Sequence, residues 1–407
     1  MKIAVFHNLP SGGAKRALYG FVKYLTRTRH VVNVYIPDTA DERFLPLKDF
    51  AYGFQVFPVK VSPVRNRTAL NLLGRLSPTW PDLANLEEAQ KDIAKVINQS
   101  DDEVVLVEQD QFTMSPFILK YLDKPNVYYC QQPVIGPAEV TQGTARKRST
   151  LAQYTNLAAD LWRKHMGRMS LKIDQQNAAF ARYVLVNSQF SKEMVLKSYG
   201  IEPFICYLGV DTEVFKPLWI PRENFVLSVG VCRRGKGFDF LIKSLGRIDK
   251  RLRPRLVIVS NRANRLWEAY LRGLALSNGV QVEMEHLVED RELVSLYNRA
   301  RVVVYAPRRE PFGLVPLEAM ACGTPVIAVN EGGPGETVIS NETGILTERN
   351  ESEFAQAITL LLTDEKRREQ MGRRSLEAVR EHWNLERAGE RLVGHLRSAI
   401  EQWDHGM

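Results

Sequence analysis

The chain has 407 residues, 44% apolar and 25% charged, with a formal net charge of +8, the make-up of a soluble globular protein with room for two full cores. No stretch approaches the roughly 18 uninterrupted apolar residues of a membrane span, and the apolar run after Lys2 is too short for a signal peptide. Cys130, Cys206, Cys232 and Cys322 stand singly without C-x-x-C spacing, which excludes a disulfide or zinc framework and fits reduced thiols in the cytoplasm.

In chain order, strands are predicted at Lys2–Phe6, Val31–Ile36, Gln55–Val59, Val104–Val107, Asn126–Cys130 and Tyr183–Val186. Helical periodicity runs over Ala17–Thr26, Leu83–Ile97, Phe117–Leu122, Leu151–Arg182 and Lys192–Ser198. Strand–helix alternation predicts a doubly wound parallel sheet. The segments 61–81 and 133–148 lack periodicity and are expected as loops on the acceptor side. Near Tyr207–Pro217 the chain changes domain. A second series follows at Phe225–Val229, Arg255–Val259, Val280–Met284, Val302–Ala306, Pro325–Val329 and Gly344–Leu346, and the tail from Glu351 to Trp403 reads as helical with few breakers.

Charge is uneven. Residues 1–200 hold 26 Lys and Arg against 18 Asp and Glu, while residues 201–407 hold 29 of each. Much of the surplus lies in Arg146-Lys147-Arg148, Arg163-Lys164, Arg168 and Lys172, with Arg65, Arg67 and Arg75 upstream. Such runs read either as a solvated helical face or as attraction to an anionic membrane surface or acceptor. No nucleic-acid motif accompanies the charge, and nucleic acid is not expected as a partner.

The most informative stretch is Glu310-Pro-Phe-Gly-Leu-Val-Pro-Leu-Glu318, between two buried-strand patterns. A strand, loop, helix and strand would place Glu310 on the loop and Glu318 near the helix start. Amides at Gly313 and Leu314 would face an anion there. A carboxylate only accepts hydrogen bonds and suits a vicinal diol. One Glu on each side of an anion site fits a sugar–diphosphate–ribose ligand, a nucleotide sugar. The structural alternatives are a dipole partner for Glu318 and plain solvation for Glu310.

This E-x7-E spacing, with Phe312-Gly313 inside it and Gly332-Gly333 and Glu336 beyond, resembles the retaining family 4 glycosyltransferases. The resemblance is strong over about 207–350. It implies the GT-B fold: two doubly wound, Rossmann-like α/β domains facing a cleft. Residues 1–207 would bind acceptor, with the last helix, about 385–407, packing back on them, and residues 208–384 would bind donor. It implies that Glu310 contacts donor-sugar hydroxyls, Glu318 the ribose, and the amides around Phe312, Gly313 and Leu314 the sugar and diphosphate. Gly209-Val210-Asp211 resembles the family's interdomain crossing.

Four more constellations fit the same ligand. After the first strand, Ser11-Gly12-Gly13-Ala14 lets backbone approach a ligand and resembles the family loop beneath the diphosphate. It is not a dinucleotide fingerprint, because G-x-G-x-x-G is absent. Gly230-Val231-Cys232-Arg233-Arg234-Gly235-Lys236-Gly237 offers Lys236 as a mobile cation for phosphate. Val231 stands where the family carries Arg, so Arg233 or Arg234 is expected to supply that charge. By the same resemblance, His286 would begin the loop that brackets the nucleobase. Gln131 and Gln132, with His7 as a further polar group, stand on the acceptor side, where many family members carry His. Two amides cannot act as base or nucleophile, which fits a front-face retaining mechanism.

Glu108-Gln109-Asp110 looks like a metal triplet, yet capping or solvation is its expected role. The site thus comprises Glu310, Lys236 and Arg234 as catalytic groups. Gly12, Gly13, Arg233, His286, Phe312, Gly313, Leu314 and Glu318 would hold donor, with no metal and no cofactor. The expected activity is hexosyl transfer, with GDP-mannose favoured over UDP-sugars, to a glycan or lipid-linked acceptor. The protein would be cytoplasmic and peripheral on the inner membrane face. A sugar-nucleotide epimerase, a phosphorylase or a non-catalytic sugar-binding protein on the same fold are the alternatives.

Overall fold

The computed structural model of the chain describes residues 1–60, 83–133, 168–261 and 264–406. The chain forms two compact units: Met1–Val186, Lys192–Cys206 and Leu392–Met407 in the first, Asn187–Ser191 and Tyr207–Arg391 in the second. The segment Asn187–Ser191 and residues 385–391 thus group with the second unit, outside the 208–384 expected from sequence.

In the first unit β1 (Lys2–Asn8), β2 (Val31–Pro37), β3 (Gly53–Phe57), β4 (Val104–Asp110), β5 (Asn126–Cys130), β6 (Tyr183–Val186) and β7 (Phe204–Ile205) form one sheet. Its order is β3-β2-β1-β4-β5-β6-β7 and every pairing is parallel. β4 and β5 are buried along their whole length, as expected of strands covered on both faces. Helix α1 (Gly13–Arg27) buries Leu18, Phe21, Val22 and Leu25, and α2 (Leu83–Gln99) buries Leu86, Ile93 and Ile97. Helix α3 (Gln189–Tyr199) begins in the second unit and continues in the first.

The second unit repeats the design with β8 (Glu223–Val229), β9 (Arg255–Ser260), β10 (Val282–His286), β11 (Ala300–Tyr305), β12 (Val326–Val329) and β13 (Gly344–Thr347). They pair in parallel in the order β10-β9-β8-β11-β12-β13. Its helices are α4 (Phe238–Gly246), α5 (Arg265–Asn278), α6 (Asp290–Arg299), α7 (Leu314–Ala321), α8 (Pro334–Thr337), α9 (Glu351–Thr363) and α10 (Glu365–Ala378), and α11 (Leu385–Asp404) starts in it. The doubly wound α/β class expected from the alternation is the one observed. In each sheet the order reverses beside its first strand, between β1 and β4 and between β8 and β11. Such a switch point opens a crevice at the carboxyl ends of the strands.

Several local expectations need correction. β3 and β10 begin and end two residues from their predicted bounds, because a continuous apolar run does not mark where pairing starts. Phe117–Leu122 is a 3₁₀ turn over Phe117–Lys120 and not an α-helix. β7 has two residues and leaves no periodic signal. The tail is broken by side-chain caps: Asp364 accepts from the Arg367 amide and starts α10, and Asn384 accepts from the Arg387 amide and starts α11. Between them lies a π turn, Val379–Trp383. Gly209 of the crossing segment lies against that turn. A Cβ there would sit 2.1 Å from the Asn384 carbonyl oxygen, and Val210 N–H donates to Trp383 O at 2.8 Å.

The acidic triplet at the end of β4 is buried, not solvated. The Asp110 carboxylate accepts from Asn8, Gln90 and the amides of Phe112 and Thr113, so it caps the turn after the strand. Glu108 accepts from Gln131 Nε2 at 3.1 Å. Burial pushes the Glu108 carboxyl up to about 8, against the Gln131 hydrogen bond that lowers it. A carboxyl raised in the folded state contributes stability that is complete below its ordinary value of 4.5 and is lost as pH rises through about 8. Glu108→Gln carries no such loss. Its stability relative to the parent should rise across that window by at most about 1.4 kcal/mol per pH unit. Melting curves of both proteins through the window test this, and parallel curves would show that a charged Glu108 is tolerated.

Candidate functional site

Most of the sequence-predicted residues stand at the carboxyl ends of the strands flanking the two switch points, each set within its own unit, whereas His286 ends the edge strand β10 and Gln131 and Gln132 follow β5. In the second unit, the loop after β8 makes a 3₁₀ turn over Arg234–Lys236 and enters α4 through Gly237 at φ 73°. A Cβ on Gly237 would lie 1.9 Å from the Ala306 carbonyl oxygen, so only glycine lets the two loops approach. Arg308 N–H donates to Gly235 O at 2.8 Å, pinning the loop after β11 to the loop after β8. Arg349 holds the same loop from the other side. Its guanidinium donates to the carbonyls of Ala306 and Pro307 and to the Glu331 carboxylate.

This clamp sets Glu310. Arg309 before it has φ 52°, a conformation that a long side chain adopts only under constraint. Glu310 O accepts from Gly333 N–H at 2.9 Å. A Cβ on Gly332 would come 2.3 Å from that same oxygen, and one on Gly333 would come 2.3 Å from the Phe312 Cα. Lys236 Nζ donates to Glu310 Oε2 at 2.6 Å, with the two side chains 14% and 19% exposed. Lys236 is therefore engaged by Glu310, where the sequence suggested a mobile cation. The buried Tyr305 hydroxyl also meets Glu310. Burial first, and then that negative charge, hold its pKa well above the ordinary value.

Gly313, at φ 93°, starts α7 with no side chain capping it, which leaves the helix-start amides for a ligand. Glu318 is the fifth residue of α7. It lies in the second turn, not at the start, and is 4% exposed. Its Oε2 accepts from the Tyr297 hydroxyl at 2.6 Å. The Phe312 side chain is buried, with its ring centroid 6.3 Å from Tyr207 and 6.0 Å from Trp383, so only its backbone is offered to the loop surface. Arg233 and Arg234 are exposed, and the Arg234 guanidinium lies 5.3 Å from the Trp267 ring centroid. His286 ends β10, with Nε2 3.4 Å from Glu268. Glu336 is occupied structurally: it accepts from the amides of Gln189 and Phe190 at the start of α3 and from the Tyr207 hydroxyl.

In the first unit Gly12 precedes α1 at φ 152°, with open space where a Cβ would stand. Lys15, in the first turn, is fully buried and paired with Glu42. His7 Nδ1 accepts from the Leu9 amide, which leaves the hydrogen on Nε2 to donate to Glu42 at 3.1 Å. Burial pulls the His7 pKa down to about 4, so the ring is neutral at ordinary pH. Burial alone would raise Glu42, but His7 and Lys15 outweigh it and bring the carboxyl to about 2. His7 is thus committed to this triad. The Gln131 amide is held by Glu108, and the Gln132 backbone is held by the Gln109 side chain. Among the described residues no group of three or more His, Cys, Asp or Glu could hold a metal.

Sequence reasoning missed Lys15, Glu42, Tyr297, Tyr305 and Arg349. Lys15 left a signal, since Lys15, Leu18, Val22 and Leu25 share one helical face. The others left none: Glu42, Tyr297 and Arg349 meet partners remote in sequence, and Tyr305 read only as part of a buried strand.

Residues 210–377 match the family described as Glycosyl transferases group 1. A D-inositol 3-phosphate glycosyltransferase of Catenulispora acidiphila is 32% identical over 247 residues, covering 55% of this chain and 59% of that protein. The human alpha-1,3/1,6-mannosyltransferase ALG2 is 27% identical over 254 residues, covering 56% of this chain and 61% of that one. The matched stretches therefore span about three fifths of these relatives' length. Among solved structures, sucrose-phosphate synthase from Thermosynechococcus elongatus superposes with a TM-score of 0.74 at 20% identity, covering 98% of this chain and 99% of that one. Anabaena HepE in complex with UDP and glucose superposes at 0.71 and 19%, covering 98% and 100%. At that identity the structures carry the fold and the family match carries the domain: the chain has the GT-B fold, and its residues 210–377 form a glycosyl transferases group 1 domain.

Proposed function

We propose that the chain is a glycosyltransferase moving a hexose from a nucleotide sugar to a glycan or lipid-linked acceptor with retention of configuration. The observation that carries this reading is the Lys236–Glu310 pair beside the uncapped start of α7 at the β8/β11 switch point. A partly exposed ion pair can exchange partners at small desolvation cost. A donor diphosphate would draw Lys236 Nζ from Glu310 and take further charge from Arg233 or Arg234 and from the Gly313 and Leu314 amides. The Glu310 carboxylate, held in place by its clamped backbone, would then accept from donor-sugar hydroxyls. Glu318, with its rotamer fixed by Tyr297, would accept from the ribose.

Positioning and neutralisation of the leaving diphosphate supply the catalysis in this scheme. The bond from the anomeric carbon to the phosphate oxygen breaks, the acceptor oxygen bonds to that carbon on the same face, and the departing phosphate takes the acceptor's proton. Gln131 and Gln132 are amides, and both ring nitrogens of His7 are engaged, by the Leu9 amide and by Glu42, so none of them is assigned as a base. GDP-mannose is the favoured donor, supported by the block from Phe312 to Glu336 and by a mannosyltransferase among the relatives. A UDP-sugar is the second choice, since HepE was solved with UDP and glucose. Peripheral attachment through the basic first half is part of the reading. Of that patch Arg168 and Lys172 are exposed, while Arg65, Arg67, Arg75, Arg146–Arg148 and Arg163-Lys164 lie outside the described residues.

A melting screen over GDP-, UDP- and ADP-sugars should show one base raising the melting temperature, because a ligand of the folded state stabilises it. No shift with any nucleotide sugar would remove the donor assignment. Glu318→Ala should weaken donor binding by about 1–3 kcal/mol, with Tyr297→Phe giving a smaller loss in the same direction. Glu310→Ala should mainly lower turnover, and wild-type transfer rates in both alanine variants would sink the site. Transfer should also persist in excess chelator, since cationic side chains and amides do the neutralising. Loss of transfer with rescue by magnesium or manganese would overturn that point.

A further inference from the structure

Helix α5 presents an outer face unlike an ordinary solvated one. Asn264 caps its start by accepting from the Trp267 amide, and Gly279 ends it at φ 63°. Trp267, Leu271 and Ala275, four residues apart, turn inward. On the same 3.6-residue period the outward side carries Arg265, Leu266, Ala269, Tyr270, Arg272, Gly273 and Leu276. Leu266 is 87% exposed, Leu276 84% and Tyr270 47%. The Tyr270 ring is stacked on Trp267 at 4.7 Å, which fixes its orientation. Open space surrounds the position where a Gly273 Cβ would stand. The helix's one acidic side chain, Glu268, is mostly covered and meets His286. Arg265 and Arg272 are exposed and carry no ion pair among the described residues.

We infer that this face of α5 docks on an anionic lipid surface. Two leucines and a tyrosine beside unneutralised arginines, with no acid among them, complement a bilayer interface. The leucines reach the acyl boundary, the tyrosine stays at headgroup level and the arginines meet lipid phosphates. A second copy fits less well, because a two-fold contact would set the arginines of one helix against those of its mate. This surface lies in the second unit, which holds 28 Lys and Arg against 26 Asp and Glu, so it is separate from the basic surplus of the first half and does not depend on donor chemistry.

The test is co-sedimentation of the full chain with vesicles of phosphatidylcholine alone or mixed with phosphatidylglycerol. Wild type should partition into the mixed vesicles and far less into the neutral ones. Leu266→Ser with Leu276→Ser, and separately Arg265→Gln with Arg272→Gln, should each weaken partitioning roughly tenfold or more. Both pairs are on the surface, so melting temperatures and nucleotide-sugar shifts should match wild type. Arg247→Gln, at an exposed pair with Glu351 in the same unit, should leave partitioning unchanged. The inference falls if wild type does not sediment, or if both double variants sediment like wild type. It also falls if wild type forms a dimer on sizing chromatography that the leucine variant dissolves. Loss of binding only on charge reversal at Arg146, Lys147 and Arg148 would place the attachment in the first half and overturn the role of α5.

Discussion

Gly332 and Gly333 bring the backbone of one loop within hydrogen-bonding distance of Glu310 and Phe312, and the geometry of the second unit's site follows from that approach. Any side chain at either position would need the space held by the Glu310 carbonyl or the Phe312 backbone. With the two glycines in place the loop after β11 is held by Gly333, Arg308 and Arg349 together. The strained Arg309 is tolerated because those contacts over-determine it. The same clamp aims the Glu310 carboxylate at Lys236 and leaves α7 to start on a bare glycine. A loop tied at this many points delivers a carboxylate and a set of amides at one fixed spacing, which positioning catalysis requires.

The two units solve the same electrostatic problem in different ways. Each places a lysine shortly after its first strand and pairs it with a glutamate from a distant loop: Lys15 with Glu42, and Lys236 with Glu310. The first lysine is fully buried, and its partner is shared with His7. A ligand reaching for Lys15 would have to strand Glu42, whose charge is stabilised by both neighbours. That pair therefore fixes the turn leading into α1. The second pair is partly exposed on both sides, so an anion can take the place of Glu310 beside Lys236, and water or a hydroxyl the place of Lys236 beside Glu310. The contrast explains why the ligand reading rests on Lys236 while Lys15 holds the scaffold.

Aromatic packing ties the site to the rest of its unit. The Phe312 ring is buried near Tyr207 and Trp383, and the Tyr207 hydroxyl binds Glu336. Glu336 in turn caps the start of α3, and Ser188 just before it donates to the Pro311 carbonyl at 2.5 Å. Residues of the glutamate signature that look like ligand contacts on paper are therefore divided between two tasks. Glu310 pairs with Lys236 beside the uncapped start of α7, while Phe312 and Glu336 hold the loop's neighbours.

The sequence by itself determined the class of this protein. Strand–helix alternation specified two parallel sheets, because apolar runs of strand length separated by helical periods can be buried on both faces only that way. The Glu310-to-Glu318 spacing and its glycines marked the candidate ligand loop, since all of them lie within the 24 residues from Glu310 to Gly333. Tertiary structure alone decided which candidates are engaged and with whom. Lys236 looked mobile between its glycines, yet it meets a carboxylate 74 positions away. Glu318 looked like a helix-start residue, but its oxygen is held by Tyr297, 21 positions earlier. Glu108 looked solvated and is sealed against Gln131. Periodicity reports which face of an element is buried, whereas pairing across elements depends on how the sheets close, and that is settled only when the distant segments pack.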